Sequence, residues 1–401
     1  MRNKLKKNIL FAVRNMNIGG VEKSLISLLN SLNPNDYDID VLVLENHGGF
    51  LEDIPSWVRV IYWDGYADIR DEVNLPPLFM IKRLFKSGKI LRAFRLLAGF
   101  LFYKISKNII HYYKAVFKGL SVTGLKKHYD IAVSYTSIIA YLSYVVLNYV
   151  SAGQYYGWIH FDVNQLVIER KSQYALHNRF DKIFVVSDSG RTEFCRLFPS
   201  LSNRCYVGYN ILNKSEIIKR SNEIIDLPCS NEFITIVTIA RLSYEKGVDL
   251  AINAASELKK EYPQFKWYII GEGKEYSKLL SIIDNEGLCE HVFLLGKKNN
   301  PLPYVKCSDI YVQPSRTEGY CTTTNEAKVL GKPIITTDVN GMREQFVNKE
   351  TAYIVPRENS HEIFKALYFL CTNSDERIRL STNISKYGFV EDQKSVDSFF
   401  E

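Results

Sequence analysis

The chain has 401 residues, 46% of them hydrophobic and 24% charged, a balance that supports packed cores and excludes a disordered protein. That length allows two domains of ordinary size. The formal charge of +7 comes from one region: positions 73–129 hold no Asp or Glu and twelve Lys or Arg, so the remainder is net negative.

The N-terminus starts basic, but only Ile9 to Val13 are apolar before Arg14 interrupts, too short for the core of a secretory signal. Asn8–Val13 reads as a buried strand, followed by a Gly19-Gly20 loop and an amphipathic helix from Val21 to about Leu32. Paired glycines let the backbone turn tightly and bring amides to a phosphate or sugar, although any strand-to-helix turn can use them. Ile39–Leu44 and Val58–Tyr62 are further strands. Asp36, Asp38 and Asp40 superficially match an Asp-x-Asp metal motif, but they enter a strand from an Asn-Pro-Asn-Asp turn and are assigned to turn chemistry. No other acidic, His or Cys cluster demands a metal, and no cofactor is expected.

The basic stretch, a helical insertion at about 73–129, interleaves Leu, Ile, Phe and Tyr with Lys and Arg at roughly helical spacing. Three readings apply: a peripheral contact with an anionic membrane through 82–118, an insertion whose apolar face closes the first domain, and, well behind, nucleic-acid binding. No recognisable nucleic-acid module accompanies it, so no nucleic-acid partner is expected.

Positions 131–161 lack Asp, Glu, Lys and Arg, yet Ser, Thr, Tyr, Asn, Gln and Gly are spread through them. A buried strand, helix and strand fit better than a membrane span. Ile131–Ser134, Tyr155–His160 and Lys182–Ser187 continue the strand series, and Asp188 is placed to cap the next helix. His160 ends an apolar strand, where a side chain either projects into a cleft or is merely packed.

After a polar stretch near Asn213–Ser230 the alternation restarts with Phe233–Ala240. Strands at Lys266–Ile270, Val292–Leu295, Ile310–Gln313 and Pro333–Thr337 alternate with helices near 248–261, 275–286 and 320–331. Repeated strand–helix units imply parallel sheets covered by helices, and the restart implies two of them, with ligands beyond the C-terminal strand ends in a cleft between domains. The seven cysteines (Cys195, Cys205, Cys229, Cys289, Cys307, Cys321 and Cys371) form no C-x-x-C pair and read as reduced thiols in a cytosolic protein.

Arg241 and Lys246, in IARLSYEKG, lie between a strand and a helix. An Arg fork and a Lys point charge suit a diphosphate whose charge grows as a bond to it breaks; a solvated basic loop is the plainer reading. Gly271-Glu272-Gly273 follows another strand and lacks the third glycine of a dinucleotide fingerprint. The run QPSRTEGYCTTTNEAKVLGKPIITTDVNG, Gln313–Gly341, places Glu318 and Glu326 eight positions apart around a helix start. Gly319 lets the backbone approach a ligand, and the amides of Tyr320 to Thr324 suit an anion. A phosphate cradle flanked by two carboxylates fits a nucleotide-sugar; a surface capping box is the alternative.

The Glu-x7-Glu spacing, with PS before and EA and GKP after, resembles the signature of retaining glycosyltransferases of family 4 (glycosyl transferases group 1). The resemblance runs from Gly19 to Gly341 and is strongest after Thr235. It implies the α/β glycosyltransferase B architecture, two Rossmann-like domains facing across a cleft. The expected divisions are an acceptor-binding domain at 1–212, a nucleotide-sugar-binding domain at 213–385, and a segment at 386–401 packing back on the first domain.

What the resemblance implies for chemistry is retaining transfer from a nucleotide diphosphate sugar, most simply a UDP-sugar, to a hydroxyl of a glycan or lipid-linked glycan. Arg241 and Lys246 would neutralise the diphosphate, Glu318 would position donor sugar hydroxyls, and Glu326 would hold the ribose. His160 would stand near the donor sugar. Gly19, Gly20, Gly271, Glu272, Lys297 (after Gly296), Gly319, Tyr320, Cys321, Thr322 and Thr323 would complete the donor site. Cys321 to Thr324 depart from the Gly and apolar residues common there, which bears on the donor sugar. The setting implied is cytoplasmic, peripheral at the inner membrane face, in bacterial surface polysaccharide or glycolipid synthesis. An epimerase or hydrolase on the same fold, or a non-catalytic nucleotide-sugar-binding subunit, are the rival readings.

Overall fold

The computed structural model describes residues 6–167, 169–225, 232–386 and 393–400. Positions 226–230 of the expected connection, 387–392 of the expected return segment, and Cys229 lie outside them. The chain divides into two units, Met1–Tyr209 with Asp392–Glu401, and Asn210–Glu391.

In the first unit, β1 (Lys7–Val13), β2 (Tyr37–Val43), β3 (Arg59–Tyr62), β4 (Tyr129–Ser134), β5 (Ala152–Ile159), β6 (Lys182–Val185) and β7 (Cys205–Val207) form a sheet in the order β3-β2-β1-β4-β5-β6-β7. Every pairing is parallel, with Ile9 level with Ile39 on one side and Ile131 on the other. Helices on both faces bury such strands, which is why Ile9 to Val13 and Ile131 to Val133 are apolar without alternation. The helix Gly20–Ser31 turns Leu25, Leu28 and Leu29 inward at helical spacing.

The basic insertion is four helices between β3 and β4: Arg70–Asn74, Pro77–Lys86, Ile90–Ser106 and Ile110–Val116. Pro77 opens its helix at a position where a missing N–H costs nothing. Ile81, Leu84, Ala93, Leu96, Phe100, Tyr112 and Val116 join Trp63 and Tyr141 in the core, so one face of the insertion does close this unit. Arg92 meets buried Glu72 at 2.7 Å and ties the long helix to the short first one. The helix Gln393–Phe400 belongs here too. Phe399 packs on Trp158 and Phe184, with ring centres 5.2 and 5.3 Å away, and Phe400 packs on Phe11 at 5.9 Å.

The second unit repeats the plan with β8 (Ile234–Ile239), β9 (Phe265–Ile270), β10 (Val292–Leu294), β11 (Ile310–Gln313), β12 (Ile334–Thr337) and β13 (Tyr353–Val355). Its order is β10-β9-β8-β11-β12-β13, again parallel throughout. In both units the chain winds outward from a central strand in one direction and then in the other. The reversal lies beside β1 in the first unit and beside β8 in the second. Loops leaving the two strands at such a point diverge and open a crevice at their C-terminal ends.

Several local expectations change. The strands β7 and β13 were not anticipated. Ser187, not Asp188, caps the helix Asp188–Leu197: its hydroxyl accepts from the Gly190 amide at 3.1 Å while its own backbone is still extended. Asp36 accepts from the Asn33 side chain at 2.9 Å in the turn, Asp38 pairs with Lys126 at 2.6 Å, and buried Asp40 accepts from Arg59 Nε at 2.9 Å and from the Tyr129 hydroxyl. Asp36 alone serves the turn; Asp38 and Asp40 lie on β2 and form ion pairs with Lys126 and Arg59 instead. Among the described residues Cys195, Cys205, Cys289, Cys321 and Cys371 are free thiols. No helix among the described residues is long and apolar enough to cross a membrane.

Candidate active site

The reversal point of the second sheet is built by the loops after β8 and β11, whose strands are neighbours at Ile236 and Ile310. The first loop runs through Arg241 and the turn Tyr244–Lys246 to Gly247, and the second from Pro314 to Cys321. Gly247 has φ of +64°, and a Cβ there would lie 2.1 Å from the Pro314 carbonyl oxygen, so only glycine lets the loops come this close.

Arg316 stitches them together. Its guanidinium donates to both carboxylate oxygens of Asp249 at 2.7 Å, to the Tyr244 carbonyl at 2.8 Å and to Glu358 at 2.8 Å, and it lies over the Tyr244 ring at 4.1 Å. The Arg316 amide also donates to the Glu245 carbonyl at 2.8 Å. The hydrogen bonds to Asp249 hold the guanidinium well above its ordinary pKa despite burial, and the same contacts offset burial to keep Asp249 below the usual carboxylate range.

With the loops fixed, Lys246 and Glu318 meet: the ammonium donates to both Glu318 oxygens at 2.8 Å. Ser315 donates to the same carboxylate at 2.7 Å, Gln313 donates to Ser315 at 2.9 Å, and the hydroxyls of Tyr311 and Thr323 donate to the Gln313 amide oxygen at 2.8 and 3.2 Å. A polar chain therefore runs from inside β11 to the carboxylate and sets its orientation. Burial pulls the Lys246 ammonium down, but the Glu318 charge more than offsets it, and its pKa stands above the ordinary lysine value. Burial and the Glu318 charge push the neighbouring Cys321 thiol up to about 11.

Cys321 stands at the N-cap of the helix Thr322–Val329 without a side-chain hydrogen bond to it. Thr324 turns its hydroxyl to the Cys321 carbonyl at 2.9 Å and to Gln345 at 2.8 Å, while the Cys321 thiol lies 3.2 Å from the Thr323 hydroxyl and does not cap the helix. Gly319 and Tyr320 precede this terminus and touch the loop at Gly341. Thr322 and Thr323 open the helix, and Glu326 is buried on the same short helix.

Arg241 is nearer solvent, 64% exposed, 3.9 Å from Glu245 and close enough to depress the Lys246 pKa slightly. The Gly271–Gly273 turn lies against this loop: Leu242 donates to the Glu272 carbonyl at 2.9 Å and Glu275 donates back to Leu242 at 3.1 Å. Glu272 and Lys297 form an ion pair at 3.4 Å. Lys246 thus meets Glu318, Arg241 stands on the same loop, and the Gly271–Gly273 turn with the Glu272–Lys297 pair packs beside that loop.

The N-terminal candidates collect at the equivalent end of the first sheet. Gly19 is the N-cap of the helix after β1. His160 follows β5 and is buried, stacked on Trp158 with ring centres 5.9 Å apart, and 4.4 Å from the ring of Tyr135, whose hydroxyl is 3.0 Å from Ser24. Beside them Glu45, after β2, accepts from Arg14 at 3.0 Å and Asn15 at 3.3 Å. A cavity of about 340 Å³ opens there, lined by Glu45, His47, Tyr62, Asp64, Tyr66 and Arg70.

Sequence reasoning missed Arg316, Asp249, Ser315 and Gln313. Arg316 and Ser315 stood inside the quoted run and carried a signal in their closeness to Glu318. Asp249 carried none, since its partner is 67 residues away.

The chain resembles known proteins in sequence and in fold. Residues 220–387 match the model of the family described as glycosyl transferases group 1. An uncharacterized glycosyltransferase of Methanocaldococcus jannaschii is 32% identical over 37% of this chain and 37% of its own. A Campylobacter jejuni enzyme, N-acetylgalactosamine-N,N'-diacetylbacillosaminyl-diphospho-undecaprenol 4-alpha-N-acetylgalactosaminyltransferase, is 27% identical over 51% of this chain and 54% of its own. Each match thus spans less than two thirds of the relative. The crystal structure of Anabaena HepE in complex with UDP and glucose superposes with a TM-score of 0.68 over 98% of both chains at 17% identity. Both units therefore follow the glycosyltransferase B plan, and the resemblance to group 1 glycosyl transferases is borne out.

Proposed function

From a group 1 glycosyl transferase match over residues 220–387, we propose that the protein transfers a sugar from a nucleotide diphosphate donor, a UDP-sugar, to an acceptor hydroxyl with retention of anomeric configuration. The observation that carries the reading is the Lys246–Glu318 pair, held by Ser315 beside the open N-terminus of the helix Thr322–Val329.

In this reading the donor diphosphate lies against the first-turn amides, with Lys246 and Arg241 compensating its charge. Glu318 accepts hydrogen bonds from the donor sugar hydroxyls and Glu326 from the ribose. Gly271, Glu272 and Lys297 border the nucleotide. The bond between the anomeric carbon and the diphosphate oxygen breaks with its electron pair passing to the diphosphate. The acceptor oxygen bonds to the same carbon from the same face, and its proton passes to the departing diphosphate. Compensation of growing diphosphate charge is the chief contribution asked of Lys246 and Arg241. No step assigns chemistry to a metal or cofactor.

The first unit takes the acceptor in this reading, and the cavity beside Glu45 is the space it offers. A lipid-linked glycan acceptor is supported by the likeness to the Campylobacter jejuni transferase, whose name carries a diphospho-undecaprenol-linked sugar. The UDP donor is supported by likeness to HepE bound to UDP and glucose. A cytoplasmic setting at the inner membrane face, in surface polysaccharide or glycolipid synthesis, completes the proposal.

The test is a donor screen with purified protein that follows nucleotide diphosphate release with and without lipid-linked glycans. Release from one donor that rises with acceptor, together with a sugar-extended product of retained configuration, is expected. Donor binding without release across all acceptors would instead indicate a binding subunit, and release indifferent to acceptor would indicate a hydrolase.

A further inference from the structure

The long helix of the basic insertion, Ile90–Ser106, is apolar on two opposite sides. Ala93, Leu96 and Phe100 face the core. Leu91, Phe94, Ala98, Leu101, Phe102 and Ile105 fall on one line at helical spacing and are exposed, Leu91 at 88% and Ile105 at 81%. No charged side chain interrupts that stripe, whereas the outward face of a surface helix normally carries charge.

Charge surrounds it instead. The helix Pro77–Lys86 packs against its start through Phe85 and Phe94, ring centres 5.2 Å apart, and exposes Lys82 and Lys86. Lys89 precedes the stripe, and Lys107 follows it with φ of +57°, ending the helix sharply. No carboxylate occurs anywhere from 73 to 129.

We propose that this face is the surface on which the protein docks to an anionic lipid bilayer. The helix lies in the plane of the interface, with Leu91, Phe94, Phe102 and Ile105 among the upper acyl chains and Lys82, Lys86 and Lys107 at the phosphates. The occupant is a bilayer and not a second copy because a twofold interface sets a patch against itself. Here that would oppose two groups of cations, Lys82, Lys86 and Lys107 of each copy, whereas anionic headgroups neutralise them. The inference gives a definite surface to the membrane-peripheral part of the reading above, on which it rests, and is independent of the transferase chemistry.

Flotation of the full-length protein with vesicles tests it. The protein should float with phosphatidylcholine mixed with phosphatidylglycerol, be released by high salt, and stay unbound with phosphatidylcholine alone. Replacing Leu91→Glu with Ile105→Glu, both at exposed positions, should weaken binding by about tenfold or more. Ile378→Glu, a similarly exposed apolar position in the second unit, should leave it unchanged. Donor turnover by all variants should match the original protein, which separates a failed docking surface from a failed transferase reading. Equal flotation on neutral vesicles, no flotation, or unchanged flotation of the Leu91/Ile105 variant would overturn the proposal. So would a variant that loses only self-association.

Discussion

Arg316 and Asp249 meet in a two-point ion pair, 2.7 Å at each contact, although 67 residues separate them. Asp249 lies in the first turn of the helix that follows the Lys246 loop, and Arg316 lies two residues before Glu318. The pair therefore locks the spacing between the two halves of the candidate site without belonging to its chemistry.

Arg316→Ala leaves the partly buried Asp249 without its cation and should lower the stability of the second unit by about 3 kcal/mol. Arg316→Lys should recover little of it, because an ammonium cannot serve Asp249 at two points while reaching Glu358 and the Tyr244 carbonyl. Urea unfolding of both variants measures this; a cost below about 1 kcal/mol for the alanine change would mean that the loops hold together without the pair.

Glu318→Ala should reduce sugar transfer by about a hundredfold or more while the protein stays folded, since a preorganised group at the reacting sugar is lost. Steady-state turnover with the donor identified by the screen is the measurement. Near-normal turnover by a folded variant would reject the role given to Glu318.

Cys321, with its thiol raised to about 11 by burial and the Glu318 charge, should resist a maleimide at neutral pH in the folded protein. Exposed Cys289 should label under the same conditions. Mass mapping of the labelled peptides decides it, and prompt modification of Cys321 would show that the helix start opens readily.

His177 is buried, donates from Nδ1 to the Gln173 carbonyl at 2.9 Å, and has its pKa lowered by burial from 6.5 to about 4. Between those values the unfolded chain binds a proton that the folded chain does not, so stability rises with pH there and is lost as pH falls from about 6.5 towards 4. The full effect is on the order of 3 kcal/mol. Urea unfolding from pH 7 down to pH 5 should show this slope, and His177→Gln should flatten it even if the variant is less stable throughout. An unchanged slope would assign the acid sensitivity to other groups.

The alternation of strands and helices was legible because each element carries its own period. Ile310–Gln313 and the helix Val248–Glu261 appear where their apolar runs begin and end. The candidate site was legible in part for a related reason: glycines and charged residues cluster at strand ends, so Lys246, Gly271 and Glu318 announced themselves locally. Ser187 was passed over in favour of Asp188 because two adjacent capping residues look alike until the backbone shows which one is still extended. Arg316 was passed over because its role depends on a partner elsewhere in the chain.

By itself, then, the sequence determined the parallel α/β character, the repetition of one plan in two units, and the strand ends where chemistry gathers. Hydrophobic period and turn chemistry are short-range properties of the chain. Tertiary structure alone decided that Lys246 faces Glu318, 72 residues away, that Arg316 binds Asp249, and that one apolar face of Ile90–Ser106 is buried while the other meets solvent. The physical reason is that the first two pairings require β8 and β11 to be neighbours where the winding reverses. The third depends on which side of the helix its neighbours Pro77–Lys86 and Ile110–Val116 cover, and neither reason is written in the spacing of nearby residues.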